Sequence, residues 1–214
     1  MEPEFWIESW QLEGSKTSFH RPDIHPYVLK YAPPEFLEGK RVLVPLAGKT
    51  NDLEWFRQNA MHTTGIELVE RPIRDFFSEH DLEFSRRSRK QFVAQKMTFF
   101  CTDLFELTPQ EVGPIDFIYD RASLIAFPYE MRLRYLEKMD ELAHPGTQTL
   151  LITLEYEPRM DTPPFSVTPA EVEEYYGAKY SIEHIEWPDR PNHGMKYKFG
   201  LDFVKEHGFL LTKM

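Results

Sequence analysis

From Arg41 onward, apolar runs of strand length alternate with segments of helical period, and this alternation narrows the available folds more than any other feature. "RVLVPL" has the pattern of a short buried strand, and "NDLEWFRQNA" that of a helix which Asn51 or Asp52 can cap. "HTTGIEL" and "VERPIRDFFSEH" repeat the pair, with Pro72 tolerable in the first helical turn. "MTFFCTD", "DFIYDR" and the β-branched "TQTLLITLEY" read as further strands. "PYEMRLRYLEKMDELAHPG" is predicted as a helix with Met131, Tyr135, Leu136, Met139, Leu142 and Ala143 on one face, stopped by Pro145-Gly146. The charged connector "DLEFSRRSRKQFVAQK" is left unassigned. "TPAEVEEYYG" reads as a short helix capped by Thr168 with Pro169 at its first position. "MKYKFGLDFVKE" and "FLLTKM" are expected to form an antiparallel hairpin around His207-Gly208. Such an order implies a mostly parallel open sheet with helices on both faces, and ligands in such sheets bind beyond the carboxyl ends of the strands.

The bulk numbers bound the function. The 214 residues fit one large α/β domain, and 41% hydrophobic with 14% aromatic residues suffices for a substantial core. A formal charge of -10 argues against a general nucleic-acid binder or an anionic-membrane binder, both of which need a basic surface. Cys101 is the single cysteine, which excludes an internal disulfide and fits a reducing compartment, so a cytoplasmic protein is expected. "MEPEFWIESWQLEG" lacks the basic and apolar regions of a secretory signal. No run approaches the ~18 apolar residues of a membrane span. The eight histidines are scattered without metal-ligand spacing, so no metal is expected.

Three ligands compete for the turn "VPLAGKT". A phosphate-binding loop needs a glycine five residues before Gly48, where Leu43 stands inside the strand. A dinucleotide fingerprint needs three glycines, and only Gly48 is present. S-adenosylmethionine carries no phosphate, and one small residue at the turn admits it. Glu67 then ends the next strand about twenty residues beyond Gly48, the distance at which a carboxylate accepts both ribose hydroxyls. An exposed strand-end carboxylate is the plainer reading of Glu67.

"FWIESWQLEGSKTSFHRP", "RVLVPLAGKTNDLEWF", "GIELVERPIRDFF", "YDRASLIAFPYEMRLRYLEKM" and "PPFSVTPAEVEEYYG" stand in the order seen in the thiopurine S-methyltransferase family, which the chain resembles over nearly its whole length. The resemblance implies a Rossmann-like methyltransferase fold with a seven-stranded sheet ending in an antiparallel hairpin. It implies that Trp10, Leu46, Glu67 and Arg121 contact the cofactor S-adenosylmethionine around the Gly48 turn. Asp103 and Leu104 fall where family members meet the adenine. Phe19 falls where the amino-terminal segment, residues 1–38 here, covers the substrate. An indole such as Trp10 suits a sulfonium through cation–π attraction, and the planar fork of Arg121 suits the methionyl carboxylate.

Two departures from the family pattern stand out: the first is mild and leaves the turn intact, and the second bears on the acceptor. Ala47-Gly48-Lys49-Thr50 replaces the family's common Cys-Gly-Lys-Ser, and Met195 stands where animal members carry an arginine, with Lys196 and Lys198 nearby. The acceptor implied is a small thiol, thiopurine-like or aromatic, or a selenium or tellurium species. Small inorganic anions such as halide or thiocyanate, and a non-enzymatic cofactor-binding role, are the alternatives. A monomer acting on small molecules is expected. A thiol near neutral pKa is already partly thiolate and needs little general base, which fits the lack of an acid–base dyad. His20, His25 and Asp23 read as loop hydrogen-bonding residues or substrate contacts. Cys101 reads as a small buried hydrophobe. The basic run Arg86–Lys90 reads as a solvated loop or as an attractor for an anionic acceptor.

Overall fold

The computed structural model describes Glu8, Trp10 and residues 23–214. Two compact units divide the chain, Met1–Ile118 and Tyr119–Met214.

In the first unit, helices α1 (Pro26–Tyr31) and α2 (Pro34–Leu37) precede β1 (Arg41–Val44), α3 (Asp52–Asn59), β2 (His62–Glu67) and α4 (Glu70–Glu79). There follow β3 (Ser85–Arg86), β4 (Gln91–Ala94), β5 (Met97–Cys101), α5 (Pro109–Val112) and β6 (Phe117–Arg121), which carries the boundary between the units. The strands lie in the order β3-β4-β5-β2-β1-β6. β2 pairs in parallel with both β1 and β5, and β1 with β6, as crossover helices require. Val42, Leu43 and Val44 are buried, so β1 reads as a continuous apolar run because it is covered on both faces. α4 buries Pro72, Ile73, Phe76 and Phe77, and its two phenylalanines meet Phe99 edge-on at 5.6 and 5.5 Å. Gly65 makes that packing possible: a Cβ there would stand 2.5 Å from the Phe99 ring.

The unassigned connector is a hairpin. β3 pairs antiparallel with β4, and β4 with β5. Phe92 is its one buried residue, Leu82, Gln91, Val93 and Ala94 are half-buried and the rest exposed, so it lacks the apolar alternation by which a strand is recognised.

The second unit continues with α6 (Tyr129–Leu142), β7 (Gln148–Glu157), α7 (Pro169–Tyr176), β8 (Tyr180–Glu186), α8 (Gly194–Phe199) and β9 (Phe203–Lys213), its strands ordered β6-β7-β9-β8. Thr168 caps α7 as expected, its side chain and that of Glu171 forming a reciprocal box. On α6 the buried residues are Arg132, Tyr135, Met139 and Leu142; Met131 and Leu136 are half-buried, and Arg132 is buried although it was not among the residues expected on the apolar face.

The expected hairpin about His207-Gly208 is corrected. β9 runs straight through both residues and pairs antiparallel with β7 and with β8. "MKYKF" is helical, with the His193 side chain accepting from the Met195 N–H at 3.4 Å and Gly200 ending the helix at φ 65. The antiparallel carboxyl-terminal pair exists, but its members are β8 and β9. Nine strands are described against seven expected, and the difference is β3 and β4. The α/β class, mostly parallel with helices on both sides, is as read. Among the described residues no helix is long and apolar enough to cross a membrane.

Candidate functional site

The first unit concentrates the candidate residues at the carboxyl ends of β1, β2 and β5. After Val44 the chain turns through buried Pro45 to Leu46, whose φ of 45 is unusual for a residue with a side chain. The Ala47 N–H donates to the Ile66 carbonyl at 2.8 Å, binding the turn to β2. Gly48 follows at φ 52, and its N–H donates to Glu67 Oε2 at 2.9 Å. The other carboxylate oxygen accepts from the Val69 N–H at 2.9 Å.

Glu67 is therefore no exposed strand-end acid; only 6% of it is accessible. Burial pushes its carboxyl above the ordinary range, and the hydrogen bonds from Val69, Gly48 and Leu68 partly oppose that rise. A carboxylate has about four acceptor positions, so these donors leave capacity for ligand hydroxyls.

Trp10 covers this turn. Its indole Cζ2 lies 3.3 Å from where a Gly48 Cβ would stand, so the absent side chain makes the contact possible. The Trp10 carbonyl accepts from Arg71 Nη1 at 3.1 Å. Beside Glu67 in the sheet, Cys101 ends β5, and the Thr102 N–H donates to the Glu67 carbonyl at 3.0 Å. Asp103 then caps a 3-10 turn over Leu104–Glu106, accepting from the Phe105 N–H at 2.9 Å; Leu104 is buried beneath it.

Thus Leu46, Gly48, Glu67, Asp103 and Leu104 follow or close adjoining strands of one unit, and Trp10 of the same unit lies against Gly48. Arg121 belongs to the second, half-buried at the end of β6 before Ala122 at φ 69. Phe19 and His20 lie outside the described residues.

The lysine of "AGKT" reaches acids of α4, Glu79 and, at 3.8 Å, Asp75. Asp52 does more than open a helix. It is fully buried, and its carboxylate takes the His25 N–H at 2.7 Å and the Thr50 hydroxyl at 3.0 Å. His25 itself caps α1, Nδ1 accepting from the Tyr27 N–H at 3.2 Å. Burial, with the Glu70 and Glu67 charges, pushes the Cys101 thiol up to about 11, which removes it as a nucleophile at neutral pH. In the basic run, Arg86 pairs with Glu70 at 3.2 Å and Lys90 with Glu106 at 2.8 Å. Met195 is buried on α8.

Sequence reasoning passed over Asp120. Its carboxylate is buried, accepting from the Tyr135 hydroxyl at 2.6 Å and the Leu124 N–H at 3.2 Å, and burial pushes it up to about 6. An acid next to the end of the apolar run "DFIYD" was the available signal.

A family model described as thiopurine S-methyltransferase (TPMT) matches residues 1–214. A Pseudomonas fluorescens (strain SBW25) protein named thiopurine S-methyltransferase is 37% identical over 95% of this chain and 94% of its own. A Nitrosospira multiformis protein of the same name is 34% identical over 99% of this chain and 98% of its own. Among solved structures, the chain resembles a Burkholderia thailandensis 1,6-didemethyltoxoflavin-N1-methyltransferase with bound 1,6-didemethyltoxoflavin and S-adenosylhomocysteine. The TM-score is 0.64, with 14% identity over 99% of this chain and 87% of that one. TehB from Haemophilus influenzae gives a TM-score of 0.63 and 16% identity, over 94% of this chain and 66% of that one. At these identities the structural likeness shows the fold alone.

Proposed function

The chain belongs to the thiopurine S-methyltransferase family, and on that premise we propose that it transfers a methyl group to a small thiol, thiopurine-like or aromatic, or to a selenium or tellurium analogue of one. It is an S-adenosylmethionine-dependent methyltransferase. The observation that carries the cofactor site is the buried Glu67 carboxylate held by the Gly48 and Val69 N–H groups under Trp10. The names of the relatives support the thiol acceptor.

The residues present fit the cofactor. Glu67 offers acceptors for the ribose hydroxyls, and Gly48 lacks the side chain that would press on the Trp10 indole. Leu46 supplies apolar wall, Asp103 and Leu104 take the adenine, and Trp10 covers the sulfonium region. Arg121 grips the methionyl carboxylate, and Phe19, in the segment 1–38, meets the acceptor. When bound, S-adenosylmethionine supplies an electrophilic methyl group for in-line displacement. The protein's part is to position and to exclude water; near-attack placement is worth about 7–11 kcal/mol in favourable cases. The acceptor thiolate brings its own nucleophilicity, so no side chain is assigned as general base. A monomer in the cytoplasm completes the reading.

Calorimetric titration with S-adenosylhomocysteine, with ATP and NAD as controls and Glu67→Ala in parallel, tests the site. Micromolar binding of the first ligand alone, lost in the variant, is the expected result; binding of ATP or NAD overturns it. Initial rates with aromatic thiols against thiocyanate and iodide then test the acceptor class.

A further inference from the structure

Arg71 stands in the first turn of α4 and is half exposed, yet its guanidinium reaches the main-chain carbonyl of Trp10, sixty-one residues earlier, at 3.1 Å. The next arginine on the helix behaves differently: Arg74 pairs with Glu70 at 2.6 Å within α4 itself. Arg71 Nε also lies 3.9 Å from Asp75 Oδ2, and Lys49 Nζ lies 3.8 Å from the same oxygen. One acid of α4 therefore serves two cations. Lys49 belongs to the Gly48 turn, and Arg71 holds the residue lying on that turn. Gly48 itself sits between the Trp10 indole and the Glu67 carboxylate, with its N–H committed to the latter.

We propose that Arg71 is a positioning residue of the cofactor site: its hydrogen bond to the Trp10 carbonyl seats the indole on the Gly48 turn, with Asp75 aligning the guanidinium. The inference rests on the reading of that turn as the S-adenosylmethionine site. Because the acceptor is a main-chain carbonyl, the link is independent of the side chain at position 10. The effect of the link is not, since it is the indole that covers the turn. Losing Arg71 leaves the fold of α4 intact and frees Trp10 to leave Gly48, so ligand affinity falls while thermal stability holds.

The test is a double-mutant cycle read by calorimetric titration with S-adenosylhomocysteine on the full chain. Arg71→Ala is expected to weaken binding about three- to tenfold, the worth of one net hydrogen bond. Arg71→Lys restores part of the loss, since an ammonium still donates to the carbonyl. Arg74→Ala, which removes the same charge from the same helix, leaves affinity unchanged. In the Trp10→Ala background, Arg71→Ala adds nothing, because Arg71 acts through the indole. Wild-type affinity in Arg71→Ala overturns the proposal, as does a loss that adds fully to that of Trp10→Ala. A wild-type protein that binds no S-adenosylhomocysteine overturns the site reading and the inference with it, a result distinct from either of those.

Discussion

Glu67 closes β2 in the first unit, and Asp120 stands one residue before the end of β6 in the second. Only 6% of the first and 1% of the second is accessible, and burial pushes both carboxyls upward. Their donors differ. Glu67 is held by main-chain N–H groups of two turns, those of Gly48 and Val69. Asp120 takes the hydroxyl of Tyr135, a fully buried side chain of α6, and the N–H of Leu124. Main-chain donors fix a carboxylate in place while leaving its remaining lone pairs at the edge of the sheet. A core tyrosine ties the acid into the packing of its own unit. The same residue chemistry at similar strand positions thus leaves open acceptor positions in one unit, at the proposed cofactor site, and makes a strut in the other.

The widest test of this contrast is Glu67→Ala, expected to weaken S-adenosylhomocysteine by about a hundredfold or more through lost charge-assisted bonds. If Asp120 is the strut, its effect belongs to stability and to pH. A carboxyl whose pKa rises on folding from 3.8 to about 6 costs the folded state stability above that pKa. That cost fades as the pH falls through 6 toward 3.8. From pH 4 to pH 8, the stability of Asp120→Asn relative to the parent should therefore shift in the variant's favour by up to about 3 kcal/mol in urea unfolding. A flat difference would erase the contrast. Gly48→Ala comes next. A Cβ there must accept φ 52 and a 3.3 Å approach to Trp10, and strain of about 1–2 kcal/mol should appear in the melting temperature. Smallest is Lys90→Ser. It breaks a solvent-exposed pair with Glu106 and should leave S-adenosylhomocysteine affinity within about twofold.

What was legible in the sequence follows from how local each signal is. β1 announces itself as a short continuous apolar run, Val42 to Val44, and α4 because Ile73, Phe76 and Phe77 recur at the helical period. Gly48 and Glu67 stand out as candidates because a turn glycine and a strand-end acid have a characteristic separation. The hairpin about His207-Gly208 was misplaced because a glycine inside a strand looks the same in sequence as one in a turn. "MKYKF" alternates like a strand, and only the His193 cap and the left-handed Gly200 disclose a helix. The remaining site features depend on partners far along the chain. Asp120 meets Tyr135 on the next long helix, and the Arg71 acceptor is a carbonyl, which no residue type marks.

The order β7-β9-β8 sets a condition on biosynthesis. β9 is made after both of its neighbours and lies between them, bonded to β7 from Gln148 to Glu157 and to β8 from Tyr180 to Glu186. While the ribosome has yet to deliver residues 203–213, two finished strands wait with their facing edges unpaired. Such edges are templates for pairing with other chains, and pairings this distant in sequence are slow to form. The second unit is therefore the part of the nascent protein most in need of protection by chaperones, and the first unit can fold ahead of it.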